Sequence, residues 1–323
     1  MPMDVETHVA LALDQPTPAQ VNGRSNADIN ASLNHAGDAV YHPCPEAFPD
    51  ASVPTGTVKK YEDWDGSRIF GNTLRDIYVY TPANLEPNHP AQLIVFNDGF
   101  GYVGRRGAIR APQVLDSLHA SGEIDPTIAV FVNPGRPNDA AQASHDAANP
   151  NAAMRQRSFE YDSLTPDYGS FLIEEVLPFV AHEHRLTITD DPERRMICGI
   201  SSGGICAFTV AWLHADKFRR VLSHCGSFTN IRGGHNYPYL IRSTPRKPLR
   251  VYLTSGTNDA ETLYGNWPLA NKTMDDALTY AGYEHRFEFG EGGHSLRHGG
   301  ALFADSLRWL IPRTLLPRTR EAS

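Results

Sequence analysis

Eight short runs, at 57–61, 74–80, 93–96, 128–132, 196–198, 221–224, 249–254 and 284–289, recur along the chain, most of them apolar and rich in β-branched or aromatic residues. Runs of this length bounded by turn-forming residues read as strands. Between many of them the apolar positions shift to helical spacing, at 111–121, 168–185, 202–214, 269–281 and 301–310. Within 168–185, Phe171, Leu172, Val176 and Phe179 share one helical face and form a core stripe. Short strands alternating with helices predict an α/β fold, here a mostly parallel eight-stranded sheet with helices on both faces. No repeat or linker divides the chain after Val53, so 53–323 is expected to form one domain. The segment before it differs in character. Residues 22–54 are poor in aliphatics and dense in Asn, Asp, Pro and Ser, which predicts that 1–52 is an extended or partly disordered arm, suited to shaping a cleft or a homodimer contact.

The chemistry concentrates where the run 196–198 meets the helix that follows it. Gly199-Ile200-Ser201-Ser202-Gly203 fills the G-x-S-x-G pattern between a strand and a helix, the context a nucleophile elbow requires. A serine hydroxyl is a weak nucleophile unless a tight turn exposes it to a base, and the flanking glycines permit that turn. Ser201 is therefore the candidate nucleophile. Hydrolases built on such a sheet supply the acid and then the histidine later in the chain. Asp259 follows the run 249–254 through a turn, and His294 follows the run 284–289 through the glycine loop Gly290-Glu291-Gly292-Gly293. Asp259 equally suits a turn or helix cap, with Glu261 as the substitute acid, and His298 is the rival of His294. Glu291, His294 and His298 have the order E-x-x-H-x-x-x-H within a glycine loop, which does not match a helical zinc site, so no metal is expected.

Beyond these motifs, the stretch from about Val53 to the C-terminus resembles the Putative esterase family, which includes enterochelin, feruloyl and acetylxylan esterases, S-formylglutathione hydrolase and mycolyltransferases. The likeness is strongest to its enterochelin esterase-like branch. It is carried by 73–82 (TLRDIYVYTP), 95–99 (VFNDG), 157–161 (RSFEY), the elbow, 225–228 (CGSF), 265–267 (GNW) and 292–294 (GGH), in that order. The resemblance implies an α/β-hydrolase fold and a Ser-Asp-His triad falling on Ser201, Asp259 and His294. Cys225 departs from the pattern, where a small residue such as serine is expected.

Chemistry and resemblance together point to a serine carboxylic ester hydrolase that forms an acyl-enzyme, acting on a soluble small-molecule or siderophore-like ester. Acyl transfer to another hydroxyl, or a catalytically idle binding protein of the same fold, are the alternatives. The oxyanion would be held by the backbone N–H of Ser202 and by that of Phe100, with Gly99 as the second choice. Gly99, Tyr102, Arg157 and Trp267 are the candidate substrate-binding residues; Arg157 also suits an ion pair with Glu160, and Trp267 a place in the core. Residues 133–157, rich in Pro, Asn, Asp and Ala, are expected to form a long loop over the site.

Charge and cysteine content exclude several other classes. The 323-residue chain carries a net charge of −8 without a basic cluster, which leaves no electrostatic footprint for nucleic acid. No run reaches the apolar length of a membrane span, and the N-terminal residues lack the pattern of a secretory signal. Cys44, Cys198, Cys206 and Cys225 show no metal or redox spacing, so free thiols and a cytoplasmic location are expected, with no cofactor.

Overall fold

The computed structural model describes residues 36–83, 85, 90–138 and 150–313. Most of the arm, 1–35, and the centre of the expected loop, 139–149, lie outside these residues. The eight main strands are β1 (Thr57–Trp64), β2 (Thr73–Thr81), β3 (Gln92–Asn97), β4 (Thr127–Val132), β5 (Arg195–Ile200), β6 (Arg220–His224), β7 (Arg250–Asn258) and β8 (Glu284–Gly293). Each expected run lies on one of them. They are ordered β1-β2-β4-β3-β5-β6-β7-β8, antiparallel where β2 meets β1 and β4 and parallel from β4 to β8. The pair Arg136–Pro137 adds a short ninth strand beside β2.

Alternation along the central strands builds two cores. Leu93 and Val95 of β3 face one side of the sheet with Ile128, Val130, Ile197 and Val221, beneath the helices Ser202–Leu213 and Trp267–Tyr280. Ile94 and Phe96 face the other side with Phe131, Met196, Cys198 and Leu222, beneath Ala111–Ala120 and Phe303–Leu310. Strands buried on both faces must be apolar throughout, which is why these runs read as continuous rather than alternating.

Two differences from the sequence-based expectation matter for the site. Residues 133–157 are not one long loop, because Pro150–Asp162 is a helix. It has no apolar stripe for periodicity to detect; polar pairs hold it instead. Glu160 receives two hydrogen bonds from Arg75 on β2, at 2.8 and 3.0 Å, and both side chains are fully buried. Arg157 donates to both carboxylate oxygens of Asp98, at 2.8 and 2.7 Å, and so does not pair with Glu160. The second difference is the expected helix 301–310, which breaks at Leu302 into Arg297–Ala301 and Phe303–Leu310.

Because Arg75 and Glu160 are both shut off from water, removing one charge leaves the other buried without compensation. Glu160→Gln is expected to lower stability by about 3–5 kcal/mol. Urea unfolding of the two proteins measures this, and a loss below about 1 kcal/mol would mean that the guanidinium is compensated by other groups.

Candidate active site

Ser201 stands between the end of β5 and the helix Ser202–Leu213 at φ 58° and ψ −122°, a conformation L-residues adopt only under constraint. The constraint is visible in the contacts. Ser201 N–H donates to the His224 carbonyl at 2.9 Å, and a Cβ at Gly199 would collide with the Gly203 backbone. The turn is therefore possible only with glycine at 199, and it lifts the Ser201 side chain off the sheet edge.

Asp259 and His294 each lie one residue beyond their strand, after β7 and β8. His294 Nε2 is 2.9 Å from Ser201 Oγ, and its Nδ1 is 2.6 Å from Asp259 Oδ1. A carboxylate accepting at Nδ1 places the proton there and leaves the Nε2 lone pair facing the serine hydroxyl. Asp259 is buried and further held by the Ser255 hydroxyl at 2.6 Å and the Ala260 N–H at 2.7 Å. Glu261 is exposed in the short hairpin beyond. His298 is buried instead, its ring 4.4 Å from that of Tyr41, and burial lowers its pKa.

Trp267 closes the back of this group. Its indole stands edge-on to the His294 ring at 5.7 Å and donates to Ser227 Oγ, which is 3.2 Å from Ser201 Oγ. Ser227 is not among the candidates read from the sequence, although it lies in 225–228, one of the segments that carry the family resemblance. Cys225, at φ 49°, is buried behind the histidine loop, and its thiol lies 3.6 Å from the Gly293 carbonyl and 3.8 Å from that of Ser295. Burial pushes that thiol well above its usual range. Among the described residues, Cys225, Asp259 and His294 are the group whose ligand atoms lie close enough together, within 4.8 Å, to share a metal ion, and this is not the set of Glu291, His294 and His298.

The other expected residues sit differently. Tyr102 is fully buried, packed between Phe96 and His224, and so is core rather than a wall of the cleft. Gly99 packs on the Phe131 backbone and its N–H donates to the Val132 carbonyl at 3.2 Å. Phe100 N–H donates to Asn133 Oδ1 at 2.9 Å. The Arg157 guanidinium is occupied by Asp98, as described above.

The family model described as Putative esterase matches residues 67–310. The chain belongs to that esterase family. The Iron(III) enterobactin esterase of Dickeya dadantii (strain 3937) is 24% identical over 267 residues, which are 77% of this chain and 54% of the relative. The chain thus spans about half the length of that curated relative. Among solved structures, the enterobactin esterase of Shigella flexneri, crystallised in the presence of 2,3-dihydroxy-N-benzoyl-serine, superposes with a TM-score of 0.61 at 20% identity, covering 80% of this chain and 61% of that one. The feruloyl esterase module from Clostridium thermocellum, in complex with sinapinate, superposes with a TM-score of 0.55 at 16% identity, covering 85% and 95% of the two chains. These likenesses show the α/β-hydrolase fold. No helix among the described residues of this esterase-family chain is long and apolar enough to cross a membrane.

One acidic group near the elbow carries a measurable consequence. Asp162, at the end of Pro150–Asp162, is wholly buried, and its carboxyl is pushed up to about 6, chiefly by burial, against the pull of the Ser158 hydroxyl, Arg157 and the Ser202 hydroxyl. The folded chain therefore holds this proton over a range in which the unfolded chain has released it, so stability falls as pH rises from about 4 to about 6. Asp162→Asn is expected to gain on the order of 2 kcal/mol over the native chain near pH 8 and little near pH 4. Urea midpoints at the two pH values test this. An equal gain at both would remove the titration from the explanation.

Proposed function

We propose that this protein is a serine carboxylic ester hydrolase that works through Ser201, His294 and Asp259. The observation that carries the reading is the unbroken chain of contacts from Ser201 Oγ to His294 Nε2 at 2.9 Å and from His294 Nδ1 to Asp259 Oδ1 at 2.6 Å, ending on a buried carboxylate. Ser201 Oγ attacks the ester carbonyl as His294 Nε2 takes its proton, and the tetrahedral species collapses when that proton passes to the leaving alkoxide. Water then repeats the sequence on the acyl-enzyme, with His294 again the base, and releases the acid. Asp259 holds the imidazole tautomer and stabilises the imidazolium.

The Ser202 N–H, the first of the elbow helix, has no carbonyl one turn back to bond and suits the oxyanion. Phe100 N–H is the second donor in this reading, the substrate oxygen taking the place of Asn133 Oδ1. A cleft of about 310 Å³ lies on the elements that carry Ser227 and Trp267, lined by Phe228, Thr229, Tyr264, Asn266 and Leu269 among others. Ser201, Asp259 and His294 do not line it; it adjoins them through Ser227 and Trp267, the chain neighbours of Phe228 and Asn266, and its largely apolar walls suit the small ring of an aryl or siderophore-like ester. Family membership supports an ester substrate, and the likeness to enterobactin esterases supports a siderophore-like one.

Ser201→Ala is expected to remove nearly all hydrolysis of an aryl ester while leaving the circular dichroism spectrum unchanged. Asp259→Asn is expected to keep KM within about threefold and to lower kcat by roughly three to four orders of magnitude, because the amide favours the wrong tautomer. Glu261→Gln and His298→Ala test the rival acid and base. A dead Glu261→Gln, or a His298→Ala as inactive as His294→Ala, would reassign the catalytic groups.

A further inference from the structure

The end of β8 that presents His294 is the most glycine-rich part of the site, with Gly290, Gly292 and Gly293 ahead of the histidine and a break in register against β7 between Gly290 and Gly293. Glycine backbone has more freedom to lose than any other, so such an irregular strand end needs ties if it is to hold a base within a few tenths of an ångström. Those ties come from residues that precede the family's matched span of 67–310. The short helical turn Ala36–Val40 lies against β8, and there is no room for a Cβ at Gly37 against the Glu291 carbonyl. Tyr41 Oη accepts the Glu291 N–H at 3.0 Å, and its ring rests on His298. Cys44 N–H donates to the Gly300 carbonyl at 3.1 Å.

At the centre of this contact is Asp38, a residue only 1% exposed. Its Oδ1 accepts the N–H of Gly293 and its Oδ2 accepts the hydroxyl of Ser295, each at 2.8 Å. The two bonds bracket His294 from the residues on either side of it. Burying a carboxylate is costly unless its oxygens are satisfied, and here they are satisfied by the flanks of the base.

We propose that Asp38 is a positioning residue: through Gly293 and Ser295 it fixes the backbone at His294, so that the imidazole spans Asp259 and Ser201. The segment 36–48 is then part of the working active site rather than an appendage to the domain. This rests on the reading of Ser201 and His294 as nucleophile and base.

The test uses the full chain and compares Asp38→Ala, Asp38→Asn and Ser295→Ala. The rate constant for labelling Ser201 with a small fluorophosphonate, located by peptide mass spectrometry, reads the Ser201–His294 geometry with little contribution from substrate binding. Thermal midpoints are measured in parallel. Asp38→Ala is expected to label about 10- to 100-fold more slowly than the native chain, with kcat on an aryl acetate falling in proportion and KM within about twofold. Asp38→Asn is expected to stay within about threefold of native, because its amide oxygen still accepts from Gly293 and its NH₂ donates to Ser295 Oγ. Should Asp38→Ala fail to fold, Ser295→Ala, which breaks one of the two bonds, is expected to label at least about threefold more slowly. Native-like labelling by Asp38→Ala well below its thermal midpoint would overturn the proposal. So would an Asp38→Asn as slow as Asp38→Ala, or, where Asp38→Ala does not fold, a native-like Ser295→Ala. A native chain that does not label at all overturns the nucleophile reading itself, and this is seen before any variant is compared.

Discussion

Parallel pairing from β3 to β8 is the constraint on which the site depends. Parallel strands present their C-terminal ends along one edge of the sheet, and the residues leaving β5, β7 and β8 at that edge are Ser201, Asp259 and His294. The neighbouring edge of β3 supplies Asp98 and Gly99. Ladders of backbone hydrogen bonds hold the strands at fixed separation and register, so the side chains at their ends are placed by the most rigid part of the molecule. A one-residue slip of β8 against β7 would carry His294 out of reach of Asp259.

Polar pairs then stiffen the rim, where apolar packing thins out. Arg157 reaches from Pro150–Asp162 to Asp98, beside the elbow helix, and Arg75 reaches Glu160 on the same helix. Such pairs gain little net stability over a well-packed apolar cluster, because both partners give up water. What they add is direction: a bidentate guanidinium–carboxylate pair admits few geometries, so the helix can be held in one position without an apolar stripe. Trp267, Ser227 and Cys225 fill the space behind the histidine in a similarly fixed way, each linked by hydrogen bonds or ring contact to its neighbours.

The residues from Asp38 to Ala47 illustrate how composition misleads about order. They lie in residues 22–54, a stretch that taken as a whole is dense in Asn, Asp, Pro and Ser and has too little apolar surface to fold by itself, yet Cys44 and Ala47 are buried in the second core and Arg308 pairs with Glu46 across the same contact. It is ordered by a surface already formed. No property of those residues in isolation announces which loop they will meet.

Much of the fold was legible in the sequence because it rests on local patterning. The strand runs, the elbow helix and the positions of Ser201, Asp259 and His294 just past strand ends all follow from periodicity and turn chemistry, which act over a few residues. Tertiary structure decided everything that depends on who meets whom. It buried Tyr102 between Phe96 and His224, gave Arg157 to Asp98 instead of Glu160, occupied Phe100 N–H with Asn133, and folded 150–162 into a helix that carries no apolar stripe. It also brought Asp38 across 255 residues of sequence to Gly293. Hydrophobic periodicity reports which face of an element is buried, whereas the partner of a charged or hydrogen-bonding group is set by strand order and register, and no single segment of the chain contains that information.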